Sequence, residues 1–146
     1  MEIAVKTFEE LSIVELYEML RLRSEVFVVE QDCVYQDIDG KDQRALHLLG
    51  WEDGILVGYT RCFRAGDYFD EASFGRVVVR ENYRKLGYGH ALAKASIQAI
   101  ETNFKAEKIK ISAQIYLVIF YESHGFKTIG DRYLEDGIPH IAMLRA

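Results

Sequence analysis

Residues 84–91 read RKLGYGHA, an Arg-Lys pair followed by two glycines one residue apart, Gly87 and Gly89. Upstream, FGRVVV at 74–79 is an apolar strand pattern. Downstream, Ala93, Ile97, Ile100 and Phe104 recur at the spacing of one helix face. The stretch is therefore a strand-to-helix turn. The first turn of a helix carries free N–H groups and the positive end of the dipole, so it attracts anions. Glycines leave the backbone bare for a close approach. Arg84 and Lys85 add charge, and arginine can grip phosphate oxygens with a fork of donors. A diphosphate ligand suits such a turn.

Working outward, local patterns place the other elements. Glu2–Thr7 alternates as a first strand. Ser12-Ile13-Val14-Glu15 is a capping box, and Ile13, Leu16, Tyr17 and Leu20 behind it predict the buried face of a helix. A second short helical piece covers Arg23–Glu30, and residues 31–45 form a polar, Asp-rich loop. Leu46–Trp51 and Ile55–Phe63 are strands joined by the hairpin signal Asp53-Gly54. Ser73–Val79 follows as a third consecutive strand. After the glycine turn and its helix, Lys108–Gln114 alternates again. A helix through Phe120 and Tyr121 stops at Gly125. Tyr133–Glu135 and Ile138–Leu144 flank Asp136-Gly137 as a last hairpin. The order β-α-α-β-β-β-α-β-α-β-β predicts an α+β fold around a mixed sheet, in one domain over residues 1–146.

Composition narrows the function classes. Apolar residues at 49% and charged residues at 28% are the balance of a soluble globular chain. No apolar run reaches the roughly 20 residues of a membrane span, and MEIAVKTFEE lacks the features of a signal peptide. A cytoplasmic protein with no membrane partner is expected. A net charge of −5 argues against nucleic acid as a partner. Cys33 and Cys62 lack metal-ligand spacing and lack an ordered Cys-His-acid arrangement. Cys62 reads as core and Cys33 as a loop residue, and no metal is expected.

The diphosphate can be narrowed further. Leu92 stands where the Rossmann pattern needs its third glycine, and the Walker pattern cannot be written. The spacing Arg84-x-x-Gly87-x-Gly89 resembles the [QR]-x-x-G-x-[GA] motif of the GNAT superfamily of acetyl-CoA-dependent N-acetyltransferases. FYESHGF at 120–126 is similar to that family's closing helix. VFVVEQ at 26–31, YQDIDGKD at 35–42 and DGIPHIAM at 136–143 resemble the ElaA-type branch. The resemblance implies the GNAT (acyl-CoA N-acyltransferase) fold, a central mixed, mostly antiparallel sheet flanked by helices. It also implies acetyl-CoA as co-substrate and an amine acceptor, either a small molecule or a protein amine. Attack would be direct, through a tetrahedral intermediate.

Residue roles carry over position by position. The motif implies that Arg84, Lys85, Leu86, Gly87, Tyr88, Gly89 and His90 bind the cofactor phosphates. Val77, Val78 and Val79 would pair with its pantetheine arm as an added strand, and one of their N–H groups would polarise the thioester carbonyl. Gln114 stands where the family often has Asn, and its amide can still donate to the cofactor. Tyr121 matches the tyrosine that protonates the departing thiolate; a phenol with a reference pKa of about 10 is protonated at neutral pH. For the general base the residues leave Glu30, His47 and His140 open. Glu30, Asp32, Asp37, Asp39 and Asp42 either line a cationic acceptor site or face water. A non-catalytic acyl-CoA-binding or sensor module is the alternative function, and a generic phosphate-binding regulatory domain a third. The same reading leaves a homodimer open.

Overall fold

The computed structural model describes all 146 residues, Met1–Ala146. Strand β1 (Glu2–Thr7) leads into helix α1 (Ile13–Arg23), which runs on as a π-helical stretch over Ser24–Glu30. The capping box starts α1 as expected. Glu15 N–H donates to Ser12 Oγ at 3.0 Å, and Ser12 N–H donates to Glu15 Oε1 at 2.8 Å. Two otherwise orphaned donors are satisfied reciprocally. Strands β2 (Leu46–Glu52), β3 (Ile55–Phe63) and β4 (Ser73–Val79) follow, and the first sheet has the order β1-β2-β3-β4, all antiparallel. Asp53 and Gly54 take φ of 50° and 77°, the left-handed backbone of a tight hairpin turn.

Helix α2 (Tyr88–Phe104) crosses to β5 (Ile109–Gln114). A short α3 (Val118–Glu122) then leads to β6 (Lys127–Glu135) and β7 (Ile138–Arg145), giving a second antiparallel sheet of order β5-β7-β6. β6 begins six residues before the expected Tyr133. Its side chains are exposed almost throughout, so no inside-outside alternation marks it. Its backbone ladder to β7 holds it in place. No helix is long and apolar enough to cross a membrane.

The first sheet is covered on both faces, which is why its strands read as nearly continuous apolar runs. Leu48 faces a cluster with Ala93, Ile97 and Ile100 of α2, and Leu49 faces one with Met19, Leu22 and Val26 from α1 and its extension. The predicted face of α1 holds for Leu16 and Leu20, which pack against the second cluster, but not for Ile13 and Tyr17. Ile13 and Tyr17 are 88% and 67% exposed, while Met19, Leu22 and Arg23 are buried. The helix is turned so that Arg23, a charged residue, points inward.

Arg23 has a reason to be there. Its Nε donates to Asp37 Oδ2 and its Nη1 to Asp42 Oδ1, both at 2.9 Å. Arg61 donates to the same Asp42 oxygen at 2.9 Å and to Asp39 Oδ2 at 2.8 Å. Arg76 Nε lies 2.8 Å from Asp37 Oδ1. Three guanidinium groups thus balance three carboxylates. Burial disfavours the charged form of Asp42, yet the charge and hydrogen bonds of Arg23 and Arg61 hold its carboxyl below the usual range. Asp37 and Asp42 are buried and Asp39 is half-buried, all three paired with arginines, and together they tie the loop to the first sheet.

Candidate active site

β4 and β5 are neighbours in space but belong to different sheets. A single parallel bridge, Ala72 to Ile109, joins them, with Lys110 N–H donating to the Ala72 carbonyl at 2.8 Å. Past Ala72 the two strands separate, and β4 has no strand partner on that side. β4 is also bulged. Its pairing passes from Tyr59–Val78 to Arg61–Gly75, so Arg76 and Val77 together oppose Thr60, and Arg76 takes φ of 53°. Such a bulge bends a strand and re-aims its side chains.

The opening holds a cavity of about 120 Å³. β4 contributes Val77, β5 contributes Gln114, α3 contributes Tyr121 and β7 contributes His140. Gln114 and His140 sit directly opposite each other in the β5–β7 ladder. Tyr121 is buried beside Phe74, Phe120 and Phe126. Burial, with a smaller contribution from Tyr116, pushes its hydroxyl up to about 12. The phenol therefore stays protonated at neutral pH and can donate.

At the end of β4 the chain turns into α2. Lys85 and Gly87 take left-handed φ of 69° and 79°, the kind of backbone from which anion-holding concavities are built. Gly87 caps the helix, and Gly89 lies in its first turn. A Cβ on Gly89 would meet only the Phe120 ring, at 3.7 Å, so the fold itself does not require a glycine there. Arg84 is turned back along β4. Its Nε donates to the Val79 carbonyl at 3.0 Å and its Nη2 to Glu30 at 2.5 Å.

The family profile for the Acetyltransferase (GNAT) domain matches residues 6–145. The chain belongs to the GNAT acetyltransferase family. It is 41% identical to Protein ElaA of Escherichia coli (strain K12) over 138 residues, covering 93% of this chain and 90% of ElaA. An acyl-CoA N-acyltransferase from Pseudomonas aeruginosa has the same fold, with a TM-score of 0.94, 40% identity and full coverage of both chains. A GNAT acetyltransferase from Elizabethkingia anophelis with acetyl-CoA bound shares the fold alone, at a TM-score of 0.65 and 14% identity, covering 98% of this chain and 97% of the other. This chain is accordingly an acetyltransferase of the GNAT type, and its sheet parts between β4 and β5 within that fold.

Within this GNAT chain the expected site residues separate into groups. Val77, Gln114, Tyr121 and His140 line one cavity. Val78 points to the opposite face, into the cluster with Met19 and Leu22. Lys85 and Leu86 are exposed, and Tyr88 bonds the Glu52 carboxylate through its hydroxyl. His90 Nδ1 lies 2.9 Å from His124 Nε2. Burial, then the neighbouring His90, lowers the proton affinity of His124.

Two candidate bases fall outside the cavity. His47 is fully buried, with Nδ1 2.6 Å from the Tyr59 hydroxyl and Nε2 2.8 Å from the Asp42 carbonyl. Burial lowers its pKa, and both nitrogens are occupied, so His47 braces the fold. Glu30 is exposed at the end of the π-helical stretch and paired with Arg84. Sequence reasoning passed over Ser112 and Glu135, which line the cavity beside His140. Ser112 does share the period-two face of Gln114, and that alternation was the available signal.

Proposed function

We propose that this chain transfers the acetyl group of acetyl-CoA to a primary amine. The observation that carries this reading is the opening between β4 and β5, with a free strand edge on one wall and the protonated Tyr121 phenol on another. The residues present suit the co-substrate. Left-handed Gly87 and the uncrowded Gly89 leave bare N–H groups at a helix start, and Arg84 and Lys85 add positive charge for a pyrophosphate. The free edge of Val77–Val79 offers backbone donors and acceptors to amide groups. Arg84 would have to leave the Val79 carbonyl for that edge to be used in full. Acetyl-CoA would supply an acetyl group activated as a thioester.

The chain's own residues then divide the work. A β4 N–H stabilises the charge that develops on the acyl oxygen. Tyr121 donates its hydroxyl proton to the departing sulfur. Gln114 supplies an amide donor from the facing strand. No metal takes part in this reading. The partner is an amine, with no nucleic acid or membrane surface, in the cytoplasm. The test is release of the CoA thiol across a library of amines. Release that depends on both an amine and the Tyr121 hydroxyl supports the reading; absence of release with every amine rejects it.

A further inference from the structure

Resting on the acetyl transfer proposed above, we infer that the acceptor is a primary amine that arrives as its ammonium and carries no nearby carboxylate, and that His140, held by Glu135, takes the proton it must lose. The cavity's charges carry the first half. Its wall includes Arg76, Glu135 and Asp136 as charged groups. Arg76 is committed to Asp37, with Nε 2.8 Å from Oδ1 and Nη2 donating to the backbone carbonyl at 3.2 Å. That leaves two carboxylates at the β6–β7 turn without a guanidinium of their own. An ammonium is drawn to such a wall, and a carboxylate meets repulsion with no fork to receive it.

The hydrogen bonds around His140 carry the second half. Its Nδ1 is 2.7 Å from the Ile138 carbonyl oxygen, which can only accept. Nδ1 therefore bears the hydrogen, and the lone pair of the neutral ring is on Nε2. That nitrogen lies 3.3 Å from Glu135 Oε2. Two acceptors thus face each other, and a proton reaching Nε2 converts the repulsion into a charge-assisted hydrogen bond. Glu135 is held in turn, because Ser112 Oγ donates to its Oε1 at 3.1 Å and also bonds the Tyr133 hydroxyl. Tyr133 stacks on the His140 ring with an interplanar angle of 24°. Glu135 is a positioning residue.

The other titratable groups turned to this cavity are Cys33, Tyr35, Tyr121 and Asp136. Burial pushes the hydroxyls of Tyr35 and Tyr121 up to about 12, so neither accepts a proton at neutral pH. Proton flow then balances. The ammonium gives one proton to His140, the neutral amine forms the new N–C bond, and the C–S bond breaks as the tetrahedral intermediate collapses. Sulfur takes the Tyr121 hydroxyl proton, and the second proton from nitrogen restores the phenol. His140 returns its proton to solvent between turnovers.

The experiment compares butylamine with 4-aminobutyrate, which differs by a terminal carboxylate. The proteins are wild type, Glu135→Gln and His140→Gln, each checked for folding by thermal melting. Wild type should favour butylamine by at least about tenfold in kcat/KM, a difference of ~1.4 kcal/mol. His140→Gln should lower kcat by roughly 10²-fold with acetyl-CoA binding unchanged. Glu135→Gln should move the acidic limb of the kcat/KM profile to lower pH. Without acetyl-CoA, ¹⁵N NMR should find the neutral His140 ring protonated on Nδ1, and butylamine should shift its signals where 4-aminobutyrate does not. Equal use of the two amines, an unmoved pH profile in both variants, or a neutral ring protonated on Nε2 overturns the inference. Should a variant fail to fold, the wild-type amine preference and NMR tautomer still decide it. Failure of thiol release with every amine rejects the acetyl-transfer reading instead, and the NMR measurements judge the His140 assignment separately.

Discussion

Replacing Gly89 with alanine is expected to stabilise the chain and weaken acetyl-CoA binding at the same time. Gly89 is the second residue of α2, and its backbone is not left-handed. An added Cβ would sit 3.7 Å from the Phe120 ring, an ordinary contact. Nothing in the fold opposes the methyl group. Alanine is favoured over glycine by about 0.8–1 kcal/mol in a helix interior. In a first turn we take about half of that, which raises Tm by roughly 1–2 °C in a chain of this size. The cofactor reads the same methyl differently. If a phosphate lies on the bare N–H, blocking it removes one charge-assisted hydrogen bond, about 1.5–3 kcal/mol. Affinity should fall at least about tenfold. Gly87→Ala is the control: its φ of 79° makes a side chain there cost about 1–2 kcal/mol, so that variant melts lower. Scanning calorimetry reads the first effect and titration calorimetry the second. A Gly89→Ala protein that melts higher and binds acetyl-CoA unchanged would refute the phosphate assignment. One that melts lower would refute the packing argument.

Four further outcomes are expected. Tyr121→Phe keeps the ring among Phe74, Phe120 and Phe126 and should lower kcat by about 10²-fold with little change in Kd or Tm; full kcat with chemistry rate-limiting removes the acid role. Arg84→Ala should raise KM for acetyl-CoA severalfold while Tm holds, because its exposed pair with Glu30 is worth at most ~1 kcal/mol; a large Tm loss with unchanged KM reverses the assignment. Asp42→Asn leaves Arg23 and Arg61 short of a buried charge and should cost about 3–5 kcal/mol, which a denaturant titration would contradict by showing less than ~1 kcal/mol. His47 has its folded-state pKa lowered by burial, so the unfolded chain takes up a proton first as pH falls. Stability should therefore decline below about pH 6.5, and His47→Gln should flatten that decline; the lowered pKa values of Asp39 and Asp42 add a second loss only below about pH 4.

Features that depend on neighbours in the chain were legible in the sequence. Ser12 and Glu15 are three residues apart, and the Asp-Gly turns at 53 and 136 carry their own backbone preference. The glycine turn before α2 was legible for the same reason. Features made by distant segments were not. Arg23 sits in an apolar helix pattern and Arg61 inside a strand, and nothing local says that aspartates 14 to 22 residues away neutralise them. The Asp-rich loop consequently read either as solvated or as lining a cationic acceptor site. β6 escaped because its side chains meet water and only its backbone is held. The cavity was half legible: family resemblance pointed to Tyr121 and Gln114, but the contact between Glu135 and His140 needs both the hairpin register and a side-chain rotamer.

The separation of β4 from β5 makes the molecule two plates hinged near Ala72. Across the hinge the plates touch mainly through oily side chains, with Phe74 on one and Ile111 and Met143 on the other, and Tyr121 and Phe126 wedged alongside. Such contacts have no preferred direction, unlike a hydrogen-bonded ladder. The aperture's width is thus set by the bulk of the wedge. Trimming Phe126, which does not itself line the cavity but is buried behind the lining residues Phe74 and Tyr121, would narrow or slacken the gap from behind. If the proposed acetyl transfer takes place in this cavity, selectivity for the size of the acyl group can drift through residues that do not line it.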